Sequence, residues 1–181
     1  MNKKELRKKF LKVRSLIANR QAKEKKICDL LMNLNFEKNS IISGYFPIKY
    51  EVNIISYLES LNQQKLNVCF PCIIKKDSYL IFKKWDFRKP LKKGKFEIYE
   101  PDEKKIEIPS KIFVPMLAYT KQKYRLGYGG GFYDRTIEFL EKKRKITTIG
   151  VAFEDQKADE IPVMKFDKRL DIIITEKGIL R

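Results

Sequence analysis

The sequence contains no histidine among its 181 residues. Histidine is the only side chain whose unperturbed pKa falls between about pH 5 and 8, so its absence excludes catalysis by Ser-His-Asp or Cys-His arrangements. Any chemistry must therefore use carboxylates, lysines, arginines, a metal ion or groups of the substrate itself.

Cysteine is scarce as well, with only Cys28, Cys69 and Cys72. An odd count fits a reducing compartment better than a disulfide-linked scaffold. Cys69 and Cys72 form a C-x-x-C pair, which occurs in redox sites and as half of a zinc site. However, the apolar segment 66–74 predicts a strand, where residues three apart point to opposite faces, and zinc needs four ligands. We favour a structural role, with the redox and zinc roles as alternatives.

The sequence has no long apolar run, and its N-terminal residues are mostly charged. Neither a signal peptide nor a membrane-spanning helix is therefore predicted, and we expect a cytoplasmic protein that has no membrane partner. With 43% apolar residues, the chain can bury one real core. We expect a single domain over residues 1–181 and a monomer.

Acidic residues are outnumbered, since 40 lysines and arginines against 23 aspartates and glutamates give a net charge of +17. Such an excess is typical of nucleic-acid-binding proteins. The basic residues are spread along the chain, however, and no recognised nucleic-acid motif is present. We expect no specific nucleic-acid partner, and nucleic-acid binding is the alternative function.

Four of the eight glycines lie in one segment, Arg125-Leu-Gly-Tyr-Gly-Gly-Gly-Phe-Tyr-Asp134. Glycine has no Cβ and tolerates positive φ, so a run of three can expose consecutive amide N–H groups to phosphate oxygens. A helix is predicted next, because Tyr133, Ile137 and Leu140 share one face, and a glycine loop that opens a helix is an anion site. The simpler alternative is a tight strand-to-helix turn.

Two common phosphate-binding loops are excluded by their spacing. The dinucleotide fingerprint G-x-G-x-x-G would need glycine at position 132, where the sequence has Phe132, and a Walker A loop would need G-K-[S/T], which is absent. The loop belongs to neither class.

Apolar periodicity predicts alternating helices and strands. The N-terminal helix buries a stripe of Leu6, Phe10, Val13 and Ile17. An adjacent face carries Lys3, Arg7 and Arg14, for which solvent exposure is the usual outcome. Further helices are predicted at 21–34 and 54–61, the second with Asn53 as N-cap. Strands are predicted at 41–46, 66–72, 79–85, 111–114, 147–153 and 171–175.

This alternation predicts an α/β fold with a mainly parallel sheet and helices on both faces, in a three-layer, Rossmann-like arrangement. The N-terminal helices, about residues 2–34, are expected to pack on that α/β core. Ligand sites in such folds lie beyond the carboxyl ends of the strands. Because Glu51, Tyr119 and Asp171 lie near predicted strand ends, we expect them to converge on one cleft.

One family combines these features. Phe113-Val-Pro-Met-Leu-Ala-Tyr119, followed by the glycine segment up to Arg135, resembles the signature of 5-formyltetrahydrofolate cyclo-ligases, also called methenyltetrahydrofolate synthetases. The resemblance covers nearly the whole chain in order. Its other blocks are Lys3-Lys-Glu-Leu-Arg7, Tyr45-Phe-Pro-Ile-Lys-Tyr-Glu51, Trp85, Glu100-Pro101, Ile149-Gly-Val-Ala-Phe153, Ile161-Pro162 and Asp167 to Asp171 ahead of Ile172-Ile-Ile-Thr175.

Three positions depart from the family pattern. Members often have histidine just before the aspartate at 167, glycine near 123 and tyrosine at 132, where this sequence has Phe166, Lys123 and Phe132. The missing histidine leaves both aspartates, Asp134 and Asp167, in place.

The resemblance implies an enzyme that converts 5-formyltetrahydrofolate and ATP into 5,10-methenyltetrahydrofolate, ADP and phosphate, with Mg²⁺ and with phosphorylation of the formyl oxygen. It implies catalytic roles for Arg125 and Asp134, and metal binding by Asp134 and Asp167. A basic surface would attract both ATP and the folate, since both are anionic.

The resemblance also implies two sets of binding residues. ATP is expected to contact Lys3, Lys4, Arg7, Arg125, Leu126, Gly127, Tyr128, Gly129, Gly130, Gly131, Phe132 and Tyr133. The folate is expected to contact Phe46, Glu51, Trp85, Tyr128, Gly129, Gly130, Gly131 and Phe132, with Glu51 accepting hydrogen bonds from the pterin ring. Ordinary core positions for Phe46 and Trp85, and a solvated loop position for Asp167, are the alternatives.

Overall fold

A mixed sheet of eight strands runs through the middle of the molecule. The structure, a computed structural model, describes residues 1–94 and 98–181. Within those residues the strands are β1 (Ile41–Ser43), β2 (Asn67–Cys72), β3 (Ile81–Lys84), β4 (Leu91–Lys93), β5 (Tyr99–Pro101), β6 (Ile106–Glu107), β7 (Lys111–Pro115), β8 (Ala118–Tyr119), β9 (Arg125–Leu126), β10 (Thr147–Val151), β11 (Ile172–Thr175) and β12 (Gly178–Leu180). The helices are α1 (Lys3–Ser15), α2 (Arg20–Met32), α3 (Ile55–Gln63) and α4 (Phe132–Glu141), with a 3-10 helix at Glu154–Gln156.

The strand order in the large sheet is β12-β11-β10-β7-β1-β2-β3-β6. The central strands from β11 to β2 are parallel, whereas β12, β3 and β6 are antiparallel to their neighbours. From β1 the chain passes through α3 to β2 on one side, and from β7 it passes through α4 to β10 on the other side. The direction of winding therefore reverses between β1 and β7, which opens a crevice where the loops after these strands diverge.

Helices cover both faces of the sheet, because alternate strand residues point to opposite sides. In β2, Val68 and Phe70 belong to the core that α2 and α3 cover, whereas Cys69 belongs to the core that α4 covers. The predicted three-layer α/β fold with a mainly parallel sheet is confirmed. No helix within residues 1–94 and 98–181 is long and apolar enough to cross a lipid bilayer.

Helix α1 packs on the short hairpin of β8 and β9. Leu6 and Phe10, one turn apart, are buried against Leu117 and Leu126. Val13 contacts the same cluster and stays partly exposed. This packing brings one face of α1 to the crevice beside the β8–β9 hairpin.

The cysteine pair lies in the interior of β2. Cys69 and Cys72 are free thiols, and both are buried. Burial raises the pKa of both thiols, that of Cys72 to about 12, which opposes the thiolate form that redox chemistry and zinc binding require. Their sulfur atoms contact the backbone carbonyls of Ile42 at 3.5 Å and Phe70 at 3.9 Å. These contacts favour the structural role.

The first strand is shorter than predicted. It ends at Ser43 rather than at residue 46, since the chain leaves the sheet after Gly44, whose N–H still donates to the Cys69 carbonyl at 2.9 Å. Tyr45 then donates its hydroxyl to the Val52 carbonyl at 2.7 Å. This bond closes the loop after β1 on itself.

The other predicted elements begin and end within two residues of the observed ones. Asn53 was predicted as the N-cap of α3, but the cap is Ile54. The Asn53 side-chain oxygen nevertheless accepts a hydrogen bond from the Ile55 N–H at 3.0 Å. Asn53 therefore satisfies a backbone donor at the start of α3 from one position earlier.

Lys123 offers a test of backbone strain, because it is a buried lysine with a φ of 67°. Its Nζ donates to the Asp171 carbonyl at 2.7 Å. Both Lys123→Gly and Lys123→Ala remove that bond, but only glycine relieves a left-handed conformation that costs other residues about 1 kcal/mol. We predict that Lys123→Gly has the higher free energy of unfolding by about 1 kcal/mol, measured by denaturant unfolding.

The control for this comparison is the exposed Lys121, where alanine should leave the stability within about 0.5 kcal/mol of the wild type. Equal stability of Lys123→Gly and Lys123→Ala would show that the backbone at this position is not strained.

Candidate functional site

A cavity of about 640 Å³ opens at the carboxyl ends of β1, β2 and β7, in the crevice where the winding reverses. Its size falls in the range of roughly 300–1,000 Å³ that is usual for ligand sites. The structure brings together most of the predicted site residues. Those that line the cavity are Lys3, Arg7, Phe46, Glu51, Arg125, Leu126, Gly127, Tyr128, Gly129, Gly130, Gly131, Phe132, Tyr133, Asp134 and Asp167.

Two predicted ligand-binding residues do not line the cavity. Lys4 is exposed, and its backbone N–H donates to the Asn2 side chain at 2.9 Å as part of the helix cap. Trp85 packs against Phe46 with ring centroids 5.5 Å apart, and its indole N–H donates to the Lys89 carbonyl at 2.9 Å. Trp85 therefore supports the cavity wall rather than forming it.

The expected convergence of Glu51, Tyr119 and Asp171 is wrong, because only Glu51 lines the cavity. Asp171 precedes β11 and so lies at the amino end of a parallel strand, where its carboxylate accepts hydrogen bonds from the Thr148 N–H and hydroxyl, both at 2.7 Å. Tyr119 donates its hydroxyl to Glu154 at 2.8 Å. Both residues stabilise other parts of the fold.

The glycine loop presents unpaired backbone donors at the cavity wall. The amide N–H groups of Gly129, Gly130 and Gly131 donate to none of the described residues. Gly131 has a φ of 64° and is the N-cap of α4 without a side-chain cap, so the positive end of the helix lies at the same wall. Unpaired amides at a helix N-terminus form an anion site.

Two arginines hold the carbonyl groups of this loop. Arg7 donates through Nε to the Gly127 carbonyl at 3.0 Å, and Arg135 donates through Nη2 to the Gly130 carbonyl. Gly129, with a φ of 99°, lets the Arg7 guanidinium approach, since a Cβ there would lie 3.0 Å from its Cζ. The Gly131 carbonyl accepts from the Arg135 N–H at 3.2 Å. The carbonyls of residues 127, 130 and 131 are therefore paired, whereas the amides of residues 129–131 are not.

Two carboxylates lie beside the loop, each in an ion pair. Asp134 Oδ1 accepts hydrogen bonds from Arg125 Nη2 at 2.8 Å and from the Lys168 N–H at 2.9 Å. Asp167 Oδ2 accepts from Lys3 Nζ at 2.5 Å. Oδ2 of Asp134 and Oδ1 of Asp167 accept no hydrogen bond from the residues that the structure describes. Each carboxylate therefore keeps one oxygen for a ligand.

Arg125 is more enclosed than the sequence indicated. Burial lowers the pKa of its guanidinium, and the nearby Asp134 opposes that effect. Its Nη1 donates to the Lys168 carbonyl at 2.8 Å while Nη2 holds Asp134. Arg125 thus fixes the carboxylate and the segment around residue 168 in addition to lining the cavity.

The protein supplies only part of the coordination shell of a metal ion. Within residues 1–94 and 98–181, no group of three acidic or cysteine side chains is arranged to hold a metal. Mg²⁺ is usually bound by one or two carboxylates, with phosphate and water oxygens completing the shell. The unpaired oxygens of Asp134 and Asp167 fit that chemistry.

Glu51 lies in the loop after β1 and is almost fully buried. Desolvation raises the pKa of Glu51 to about 7, although the Ile48 N–H and the Arg14 charge oppose the shift. Its Oε2 accepts from the Ile48 N–H at 3.0 Å, and its Oε1 lies 3.8 Å from Arg14 Nη1. The Glu51 carboxyl group can therefore change its charge near neutral pH.

Phe46 contributes an apolar surface near Glu51. Its ring stacks on Phe70 with centroids 4.4 Å apart and an interplanar angle of 20°. Pro71 and Ile73, from the end of β2, line the same cavity. A flat apolar surface beside a carboxyl group is suited to a planar ring that carries N–H groups at its edge.

Sequence reasoning missed Arg14, for which exposure was expected. It is fully buried, with 0% of its surface exposed, and it donates to two backbone carbonyls and to the Tyr128 hydroxyl. A signal was available, because Arg14 continues the buried stripe of Leu6 and Phe10 at a spacing of four residues.

The sequence matches the model of the 5-formyltetrahydrofolate cyclo-ligase family over residues 1–176. A relative from Haemophilus influenzae, named 5-formyltetrahydrofolate cyclo-ligase, is 32% identical over 143 residues, which are 74% of this chain and 74% of the relative. A relative of the same name from Mycoplasma pneumoniae is 29% identical over 182 residues, which are 98% of this chain and 100% of the relative.

Solved structures agree with the sequence match. A 5,10-methenyltetrahydrofolate synthetase from Mycoplasma pneumoniae has a TM-score of 0.78 at 26% identity, covering 97% of this chain and 99% of that chain. The NMR structure of the Aquifex aeolicus 5,10-methenyltetrahydrofolate synthetase has a TM-score of 0.83 at 29% identity, covering 100% of this chain and 93% of that chain. The prediction of an enzyme of this ligase family is confirmed, and the chain belongs to the 5-formyltetrahydrofolate cyclo-ligase family.

Proposed function

We propose that the protein uses ATP and Mg²⁺ to convert 5-formyltetrahydrofolate into 5,10-methenyltetrahydrofolate, with release of ADP and phosphate. The observation that carries this proposal is the row of three unpaired glycine amides at the start of α4, beside two carboxylates that each keep a free oxygen. The folate substrate is taken from the family, whose members carry the name of this reaction.

The triphosphate of ATP lies against the glycine loop on this proposal. The amides of residues 129–131 donate to its oxygens, and the N-terminus of α4 adds a positive potential. Lys3 and Arg7, which line the cavity from α1, neutralise further negative charge. The exposed Lys4 is left without a role in the cavity.

Asp134 and Asp167 would hold Mg²⁺ together with phosphate oxygens. When bound, the ion neutralises charge on the phosphates and orients them. Arg125 pairs with one oxygen of Asp134 and Lys3 with one oxygen of Asp167, so each carboxylate is held in a fixed orientation.

The folate occupies the part of the cavity around Glu51. The ionised Glu51 carboxylate accepts hydrogen bonds from the N–H groups at the pterin edge. The Phe46 ring packs against the face of the pterin, and Trp85 supports Phe46 from behind.

The reaction proceeds in two steps on this proposal. First, the formyl oxygen attacks the γ-phosphorus of ATP, the bond from that phosphorus to the ADP oxygen breaks, and an iminium phosphate forms. The neighbouring folate nitrogen then attacks the former formyl carbon and loses its proton. That attack closes the five-membered ring. Phosphate then leaves with the electron pair of the C–O bond while the lone pair of a ring nitrogen forms the methenyl C=N bond.

The protein contributes position and charge rather than a nucleophile. Phosphoryl transfer depends mostly on alignment of the reacting oxygens and on neutralisation of charge. The glycine amides, Lys3 and Arg7 serve the phosphate, while Glu51 and Phe46 align the folate. None of these functions requires histidine.

The direct test of the function is an assay of the purified protein with 5-formyltetrahydrofolate and MgATP, followed by the absorbance of the methenyl product. We predict that turnover requires both ATP and a divalent cation, because the unpaired amides are suited to phosphate and the free carboxylate oxygens to the cation. Asp134→Asn, purified identically, is the control for contaminating enzymes and should show a much lower kcat at limiting Mg²⁺. Turnover that survives apyrase and EDTA would contradict the proposal.

The phosphate role of the loop is tested most cleanly at Gly127. A Cβ added at Gly127 meets no atom within 4 Å, whereas one at Gly130 would lie 2.9 Å from the Phe132 ring. Gly127→Ala should therefore leave the melting temperature within about 2 °C of the wild type. It should raise the KM for ATP about tenfold, because Gly127 lines the cavity beside the amides of residues 129–131 and a methyl group there narrows the space for the phosphates.

Gly130→Ala is the matched variant in which stability and ATP binding should fall together, since its methyl group strikes a neighbouring side chain. Normal ATP kinetics in Gly127→Ala would show that the phosphates do not bind next to this part of the loop.

A further inference from the structure

Arg14 is a buried charge that the proposed mechanism does not use. It lies near the end of α1 and is completely enclosed, at 0% exposure. Burial of a cation is costly unless its hydrogen-bond donors and its charge are both satisfied. The partners of Arg14 therefore indicate what the residue does.

One guanidinium connects three segments around the cavity. Arg14 Nε donates to the Lys49 carbonyl at 3.0 Å, in the loop after β1. Nη1 donates to the Met116 carbonyl at 2.9 Å, directly after β7. Nη2 donates to the Tyr128 hydroxyl, in the glycine loop. These are the segments that diverge where the winding of the sheet reverses.

The same guanidinium faces Glu51. Arg14 Nη1 lies 3.8 Å from Glu51 Oε1, and both side chains are almost fully buried. The Arg14 guanidinium also lies 5.5 Å from the centroid of the Tyr128 ring. The 3.8 Å between Arg14 and Glu51 is longer than a hydrogen bond. The guanidinium therefore acts on the Glu51 carboxylate mainly through its charge, and it fixes the loop that carries Glu51.

We propose that Arg14 is a positioning residue that holds Glu51, ionised and correctly oriented, for the folate. The inference rests on the proposed function of Glu51. Arg14 itself lies behind the cavity wall and is not among the lining residues, so it acts through Glu51 rather than on the substrate.

The charge of Arg14 opposes the effect of burial on the pKa of Glu51, which lies at about 7. The other titratable groups around Glu51 are the hydroxyls of Tyr128, Tyr133 and Tyr45, and burial raises the pKa of each. These hydroxyls stay neutral near pH 7. The Tyr128 hydroxyl favours the ionised Glu51 carboxylate by hydrogen bonding, and Arg14 favours it by its positive charge.

A double-mutant cycle tests this coupling, with Arg14→Met, Glu51→Gln and the double variant. We predict that each single substitution raises the KM for 5-formyltetrahydrofolate about tenfold and the KM for ATP less than about threefold. In the Glu51→Gln background, Arg14→Met should add less than about threefold, because its effect passes through Glu51.

Arg20→Met is the matched control. Arg20 also donates to backbone carbonyls in this region, those of Tyr50 at 2.8 Å and Arg14, but it does not line the cavity. Its substitution should lower stability, leave the folate KM within about twofold of the wild type, and combine additively with Glu51→Gln.

The pH dependence of folate binding tests the role of Arg14 further, because a purely structural role would leave it unchanged. Folate binding should improve as pH rises through about 7 in the wild type, since the carboxylate is the binding form. In Arg14→Met this transition should move upward by about one pH unit, whereas Arg20→Met should keep the wild-type profile.

Additive effects of Arg14→Met and Glu51→Gln, or equal losses for ATP and folate, would overturn the inference.

If Arg14→Met fails to fold, Arg14→Lys is the substitute variant, because it keeps the charge but lacks the planar fork of donors. It should keep the pH transition near 7 and raise the folate KM, again non-additively with Glu51→Gln, and an additive result would also overturn the inference. A wild type without turnover would contradict the proposed function itself, whereas active wild type with additive substitutions would contradict only the role of Arg14.

Discussion

The reversal of winding between β1 and β7 leaves neighbouring loops that run away from each other, and the cavity lies between them. Backbone groups beyond this edge have no further strand to pair with, so they must be satisfied by side chains, by water or by a ligand. In the loop after β1, side chains satisfy several such groups, among them the Ile48 N–H and the Val52 carbonyl. In the glycine loop, the amides of residues 129–131 are left unpaired, which makes this edge suited to an anion.

Charge is distributed around the cavity in matched pairs. Each of three carboxylates in its wall has one cation of its own. The pairs are Asp134 with Arg125, Asp167 with Lys3, and Glu51 with Arg14. Because α1 supplies two of these cations, this helix links the hairpin on which it packs to the chemistry of the site. On the proposed function, these cations offset the negative charge of the carboxylates next to a polyanionic substrate.

Most of the fold was predictable because its signals are local. The β-branched run 172–174 and the apolar stripes of the helices specify elements and layers without knowledge of distant contacts. The hairpin of β8 and β9 was not predicted, since two-residue strands have no periodicity of their own. Asp171 was expected in the cleft although it begins its predicted strand, and the start of a parallel strand lies at the edge of the sheet opposite the carboxyl ends.

Site residues that lie within one short motif were predictable from the sequence. Contacts between segments far apart in the sequence were missed. The glycine cluster indicated an anion loop from composition and spacing alone. The spacing of Arg14 from Leu6 and Phe10 indicated burial, but no local pattern reveals its partner, the Met116 carbonyl, 102 residues further along the chain. Trp85 was predicted to contact the folate, whereas the structure places its ring against Phe46 and outside the cavity lining. Only tertiary packing decides which of two neighbouring aromatic rings faces a cavity.

The most direct test of this account is a crystal structure of the protein with Mg²⁺, a non-hydrolysable ATP analogue and 5-formyltetrahydrofolate. The account predicts phosphate oxygens within hydrogen-bond distance of the amides of residues 129–131, and the pterin edge against Glu51. Phosphates bound away from the glycine loop, or a pterin ring distant from Glu51, would contradict it.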